Sequence, residues 1–265
     1  MSEQQIVPHS AGRQLPRPQF SVAVSQILAC LTCIQANVAD WIRTGTQYGF
    51  GPRFTFRCLQ DSGESNDCQR CHQTGTACER VPTGIEGHLY ELLALIAWLN
   101  LMWGSYDPTN AFSDAFVPTW LLPSPFLAEL GDEIRRLCSS FRLLARNHIF
   151  EHGIHPGCSR SRRTRYRNWL LHRQPLPSSV ELDGSPEAFA EFSMSKHKST
   201  GTEDHVYHWY GAVVSFRRRV IEIVDEGTLY SAHEAEYADR LNRFPAQILP
   251  VELRGLGLRS SRSAH

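Results

Sequence analysis

Residues 58–78, CLQDSGESNDCQRCHQTGTAC, hold four of the chain's eight cysteines, and Cys30 and Cys33 lie upstream of them. The resulting pattern is C-x2-C-x24-C-x9-C-x2-C-x6-C, running from Cys30 through Cys33, Cys58, Cys68, Cys71 and Cys78. A Cys-x2-Cys gap lets one turn of backbone bring two sulfurs to one tetrahedral ion, at bond lengths of about 2.3 Å. The stretch predicts a metal-stapled module, with zinc as the ion that thiolates at these gaps suit. Gly75, in HQTGTAC, allows the tight turn that returns the backbone to Cys78.

The remaining composition narrows the class. Lys plus Arg and Asp plus Glu both total 27, so no global charge draws the chain to nucleic acid or to an anionic membrane. The first twenty residues are polar and carry Pro8, Pro16 and Pro18, with no apolar core of the kind a secretory signal requires. The expectation is an intracellular protein, where clustered cysteines are more often metal ligands than disulfides. Disulfides remain the alternative. Leu89 to Trp103 is the longest apolar run, interrupted by Glu91 and Asn100. It covers about 22 Å as a helix, short of a hydrocarbon core of about 30 Å, so a buried helix is expected and no membrane span.

The residues CQRCHQTGTAC, preceded by a variable loop and a further cysteine and followed by Val81 and Pro82, resemble the second half of the fungal binuclear zinc cluster. In that family six cysteines hold two zinc ions through two bridging thiolates, usually at the N-terminus of a transcription regulator. The resemblance implies that Cys30 and Cys33 are the first two ligands and that Cys58, Cys68, Cys71 and Cys78 are the third to sixth. It also implies a nuclear protein with DNA as partner. Two features depart from the family. It places about six residues between the second and third cysteines, where this chain has 24, and its first loop is rich in Lys and Arg. Here that segment offers Arg43, Arg53 and Arg57 beside Asp40 and Trp41, which argues against DNA reading by the cluster itself. The longer loop costs on the order of 1 kcal/mol more closure entropy and leaves zinc binding intact. A simpler site is also open, one zinc held by Cys58, Cys68, Cys71 and Cys78, with His72 as a substitute ligand. Cys30 and Cys33 would then be small core residues on an apolar stripe.

The fold expected is mainly α: an irregular cysteine-rich, zinc-stapled module followed by a helical, bundle-like region. Residues 1–20 read as a disordered arm. Residues 21–104 read as the module plus the apolar helix, with Val24, Ile27, Leu28, Leu31, Ile34, Val38, Trp41 and Ile42 at helical steps and 43–57 as a loop. In 105–173, an irregular proline-rich connector precedes an amphipathic helix opened by Ser124 and Pro125. Leu127, Leu130, Ile134, Leu137, Phe141, Leu144 and His148 make its stripe, and Gly153 stops it. Residues 174–205 are rich in Pro, Ser, Gly and Thr and read as a linker. In 206–265 a seam of Trp209, Val213, Phe216, Val220, Ile223, Tyr230, Tyr237, Leu241 and Phe244 favours packing within the chain over a dimer, before a basic tail.

Two further clusters carry chemistry. His148, His152, His155 and Cys158 have gaps that suit a second metal ion, or else the histidines cap a helix end. Arg160, Arg162, Arg163, Arg165 and Arg167, interleaved with Tyr166, form the one strong basic run, suited to phosphate or to a nuclear import receptor, or else to a solvated loop. No glycine-rich phosphate loop, Gly-x-Ser-x-Gly elbow or His-Glu-x-x-His is present, and no enzyme is expected. Three functions remain: a nuclear zinc-cluster-like regulator holding one or two zinc ions, a protein-interaction module that presents helix faces and uses zinc only as a staple, and, behind both, a metal-dependent enzyme using His148, His152, His155 and Cys158.

Overall fold

A computed structural model describes residues 30–48, 54, 58, 67–103, 124–173, 184–199, 204–228 and 234–255. Eight α-helices account for most of these residues, and no strand occurs among them. They are α1 (Leu31–Tyr48), α2 (Gln69–Thr74), α3 (Glu86–Asn100), α4 (Ser124–His152), α5 (Arg160–Leu171), α6 (Pro186–Met194), α7 (Asp204–Gly227) and α8 (Glu234–Asn242). The fold is mainly α, as the sequence predicts.

α3 is apolar on every side, and a helix of that kind must be enclosed. Every residue from Gly87 to Asn100 is buried. α6 lies along it, with Phe192 edge-on to Tyr90 at 4.7 Å, and α4 and α7 form an adjoining pair in which Phe141 meets Trp209 at 5.8 Å. Past Asn100, the carbonyls of Leu101 and Met102 accept bonds from Arg240 (2.7 Å) and from the Tyr237 hydroxyl (3.2 Å). α8 thus satisfies the backbone that the end of the apolar helix leaves without intrahelical donors. Among the described residues no helix is long and apolar enough to cross a membrane.

The stripe predicted from Leu127 to His148 is buried along its whole length, and α4 starts at the Ser124–Pro125 pair. α4 stops at Gly153 (φ +58°), where Ile154 N–H reaches the carbonyl of Ile149 and Gly153 N–H that of Phe150. Trp209, Val213, Phe216, Val220, Ile223, Tyr237 and Phe244 are buried within the chain, as expected of a seam that packs internally. That seam is divided between α7 and α8, with Phe244 just beyond the end of α8; Tyr230 lies outside the described residues.

Three expectations are corrected. The stretch read as a linker contains α6, capped by Ser185 and opened by Pro186 at its first turn, and its Ala188, Phe189, Ala190 and Ser193 are buried. Nine residues flanked by serines and a glycine are too few for a periodic stripe to emerge, and contact with α3 supplies what propensity lacks. α1 begins at Leu31 and extends through Tyr48, into the segment read as a loop. The basic run is α5, a helix capped by Ser159. The arm at 1–20, the connector at 105–123 and the tail from 256 onward lie outside the described residues, as do Val24, Ile27 and Leu28.

Candidate metal centre

The two Cys-x2-Cys pairs are built alike. Cys30 stands immediately before α1: its carbonyl accepts the Ile34 N–H (3.1 Å) and its Sγ accepts the Cys33 N–H (3.2 Å). Cys68 does the same for α2, with its carbonyl accepting from His72 (2.9 Å) and its Sγ from Cys71 N–H (3.4 Å). Each sulfur replaces the oxygen of an ordinary N-cap and faces the positive end of a helix turn. Three residues on, the second cysteine of each pair lies over the first.

The two helix starts are then tied together through backbone. α2 ends at Gly75 (φ +62°), where Thr76 N–H reaches the Cys71 carbonyl, and the chain doubles back so that Cys78 Sγ accepts the Cys68 N–H at 3.4 Å. The returning segment runs beside the start of α1. Thr32 Oγ1 donates to the Ala77 carbonyl (2.8 Å), Leu31 N–H to that of Glu79 (2.6 Å), and Cys30 pairs with Arg80 as an antiparallel bridge. Across the helices Arg70 meets Asp40 at 2.5 Å.

This framework brings all six predicted cysteines together. Cys30, Cys33, Cys58, Cys68 and Cys71 are buried, Cys78 is half-buried, and all are free thiols. Cys33 and Cys68 Sγ are 3.4 Å apart, Cys30 and Cys71 3.6 Å, and Cys30 and Cys68 3.8 Å. Disulfide sulfurs would stand at about 2.05 Å. Four thiolates around one ion at bonds of about 2.3 Å define a tetrahedron with edges of about 3.8 Å, and the observed spacings approach that value. Two quartets satisfy this closeness, Cys30–Cys33–Cys58–Cys68 and Cys30–Cys68–Cys71–Cys78, each with its sulfurs within 4.8 Å of one another. Cys30 and Cys68, the two N-cap cysteines, belong to both.

The electrostatics of the thiols point the same way. Cys30 is raised by its contact with Cys58 and by burial, Cys33 by burial first, and burial pushes Cys71 up to about 11 and Cys78 up to about 12. Cys68 is moved the other way, to about 6: burial would raise it, but the Cys71 N–H and the surrounding thiols direct their hydrogens at it. A packed cluster of thiols resists acquiring negative charge unless a cation is bound among them. The donor set is entirely sulfur, and the cluster is positioned to hold metal.

Cys58 stands apart in sequence and is held by a device absent from the cysteine pattern. Four residues earlier, Phe54 is buried against Trp41 (ring centroids 5.6 Å apart), and the Asn100 side chain clasps its backbone. Asn100 Nδ2 donates to the Phe54 carbonyl (2.9 Å) and Phe54 N–H donates to Asn100 Oδ1 (3.0 Å). The long interval between Cys33 and Cys58 is therefore pinned to the core helix.

The second metal reading is not supported. His148, His152, His155 and Cys158 are not among the described groups whose donor atoms converge. Both ring nitrogens of His148 are engaged, Nδ1 with Ser199 Oγ (2.8 Å) and Nε2 with the Tyr166 hydroxyl (3.0 Å), while His155 is exposed and bonded to the Pro156 carbonyl. Burial, reinforced by His152 and His205, lowers His148 to about 3, so it is a neutral hydrogen-bonding ring. Of the five arginines, Arg163 clamps the Cys158 carbonyl through Nε and Nη2 (3.2 and 3.1 Å) and Arg162 lies over Gly153. Arg160, Arg165 and Arg167 are exposed.

Glu91, an interruption in the apolar run when read as sequence, proves to be the hub of a buried polar network. It is fully buried and accepts from His88 Nδ1 (2.6 Å), Lys198 Nζ (2.6 Å), Trp209 Nε1 (2.8 Å) and the Tyr210 hydroxyl (3.2 Å). The sequence signal was available: a carboxylate within an apolar helix requires donors from other elements. No protein-family model, no curated protein and no solved structure matches this chain.

Proposed function

We propose that this chain is a non-enzymatic zinc protein whose six cysteines hold two ions in one bridged cluster, and that it acts in the nucleus as a nucleic-acid-associated regulator. The observation that carries the metal reading is that Cys30 and Cys68 are common to both quartets. Six sulfurs can complete two tetrahedra only by sharing two, and the shared pair are the two N-cap sulfurs, 3.8 Å apart. Sulfur-only donors select zinc over hard cations, and quartets with no open position hold a structural rather than a catalytic ion. When bound, zinc neutralises the thiolates and ties the start of α1 to α2 and to the returning segment at 77–80.

Nucleic acid, in this reading, is met by α5 and not by the cluster. α1 and α2 face each other through the Arg70–Asp40 pair, and Arg43 also meets Asp40 at 3.5 Å, so these arginines are engaged within the module. The arginines of α5 have no described carboxylate partner. A second reading, an interaction module with zinc as a staple, draws on Leu143 and Phe150, which are 54% and 89% exposed two turns apart on α4.

Zinc counting by native mass spectrometry tests the cluster. The expected result is two ions per chain, one retained in Cys78→Ser, whose sulfur serves one quartet, and none firmly held in Cys68→Ser, whose sulfur serves both. One ion in the unaltered protein would refute the bridged arrangement, and none would remove the metal centre. Binding to a mixed-sequence duplex DNA that weakens steeply with salt supports the regulator; absent binding leaves the interaction module.

A further inference from the structure

α5 has no buried residue, so no apolar stripe of its own holds it in place. Its aromatic attachment to α4 is made by two side chains. Tyr166 and Trp169 stack on each other (5.6 Å, 11°) and rest against the rings of His148 and His152, and the Arg173 guanidinium lies 4.4 Å over Trp169. The directional contact is the Tyr166 hydroxyl, which accepts the Gly84 N–H at 2.8 Å. Burial pushes that hydroxyl up to about 12, so it keeps its proton, and it also bonds the neutral His148 ring at Nε2 (3.0 Å). The other ring nitrogen, His148 Nδ1, is bonded to Ser199 Oγ (2.8 Å). Gly84 must also lack a side chain: a Cβ there would stand 2.6 Å from the Tyr166 hydroxyl, 2.7 Å from Trp169 and 2.9 Å from His148 Nε2.

Gly84 is six residues beyond Cys78. Between them Glu79 and Arg80 are bound to the start of α1 at Leu31 and Cys30, and the Pro82 carbonyl accepts from Ile85. The segment is thus fixed at one end by a candidate ligand and at the other by the residue on which α5 sits. What α5 carries outward is charge. The chain's two lysines are Lys196 and Lys198, so 25 of its 27 basic residues are arginines, and ten of these fall between 135 and 173 with Glu151 the lone acidic residue in that interval. Arg162 and Arg163 are used within the fold, whereas Arg160, Arg165 and Arg167 are exposed and have no described partner.

We infer that the six-cysteine module seats α5, so that filling the cluster presents Arg160, Arg165 and Arg167 to the phosphates of a nucleic acid and emptying it releases the helix. The nucleic-acid half of this inference rests on the function proposed above; the seating half does not. Guanidinium forks suit phosphate oxygens, and three of them on one exposed helix act through charge without reading bases.

The test uses the full chain and two readouts: the rate of tryptic cleavage inside α5, with cleavage at Arg218 in α7 as internal reference, and the salt dependence of binding to a fluorescent mixed-sequence duplex DNA. Gly84→Ala and Tyr166→Phe, both with zinc retained, are expected to speed α5 cleavage about tenfold, the loss of roughly one buried hydrogen bond, with the reference site unchanged. Zinc removal by a chelator is expected to do at least as much. The triple variant R160A/R165A/R167A is expected to reduce the log–log salt slope by about three. α5 cleavage in Gly84→Ala at the unaltered rate overturns the seating. Faster α5 cleavage in a protein that binds no DNA upholds the seating and overturns the nucleic-acid reading. An unchanged salt slope in the triple variant assigns the contact elsewhere and overturns the surface.

Discussion

Replacing Glu91 by glutamine tests the core on which both the module and α5 depend. Each carboxylate oxygen accepts two donors, Oε1 from Lys198 and Tyr210 and Oε2 from His88 and Trp209. An amide offers one oxygen, so either orientation of the substituted side chain turns an NH₂ group toward two donors and leaves the Lys198 ammonium without its counter-charge. Removing one partner from a buried ion pair costs about 3–5 kcal/mol. The electrostatics of the site point in the same direction. Burial alone would raise the Glu91 carboxyl, but Lys198 and His88 hold it down at about 2, against 4.5 for an ordinary glutamate. That difference corresponds to about 3 kcal/mol, in agreement. Because the folded value is depressed, the contribution is complete above about pH 4.5 and is lost as the pH falls toward 2; by about pH 3 some 2 kcal/mol of it should be gone. Urea denaturation of the two proteins at neutral pH and at about pH 3 measures both the gap and its closing, and acid effects on the cysteines cancel in the difference. A gap under about 1 kcal/mol at neutral pH, or one that stays constant on acidification, would refute the assignment of Glu91 as a charged hub.

Asn100→Ala leaves the N–H and carbonyl of buried Phe54 without partners, a destabilisation of about 1–3 kcal/mol, and chelator competition should show zinc held less tightly as the Cys58 arm loosens. Unchanged melting and unchanged affinity would show that the arm is held by other contacts. His148 has its folded value lowered from 6.5 to about 3 by burial, with His152, His205, His88 and Arg173 adding to the effect, so the unfolded chain takes up the proton first and stability falls as the pH drops below 6.5. Between pH 6.5 and about pH 5 the unaltered protein should lose about 2 kcal/mol more than His148→Gln, and parallel pH profiles would sink that reading.

The elements legible in the sequence are those whose signal is local and repeated. α4 announces itself through seven stripe positions from Leu127 to His148, a Ser–Pro start and a glycine stop, all within one helix. α6 gives no such signal, because Pro186–Met194 is held by its contact with α3, a helix some ninety residues earlier in the sequence. The extent of α1 is obscured for a related reason: the glycine at position 45 reads as a breaker, yet the helix continues to Tyr48. The most informative residues of the apolar run were the two that interrupt its pattern. Glu91 and Asn100 mark the points where chain from elsewhere is tied in, respectively by Lys198, Trp209 and Tyr210 and by the backbone of Phe54. A polar side chain within a helix that is apolar all round has to be satisfied from outside that helix, so its presence predicts a long-range contact without identifying the partner.

The same distinction divides the metal centre. Spacing marks Cys30, Cys33, Cys68 and Cys71 as candidate ligands, since each Cys-x2-Cys pair is a one-turn device, and leaves Cys58 and Cys78 to be placed by the fold. Which sulfurs belong to both quartets depends on how the two turns face each other, and that is set by the Cys30–Arg80 bridge, the Leu31–Glu79 bond and the return at Gly75. The sharing has a sequence correlate all the same. In both pairs the first cysteine is the N-cap, where its sulfur receives a backbone N–H from the second. The positions of Cys30 and Cys68 thus follow from the same geometry that starts α1 and α2. A single rearrangement, moving either cysteine one residue into its helix, would break the cap and the one sulfur pair common to both quartets together.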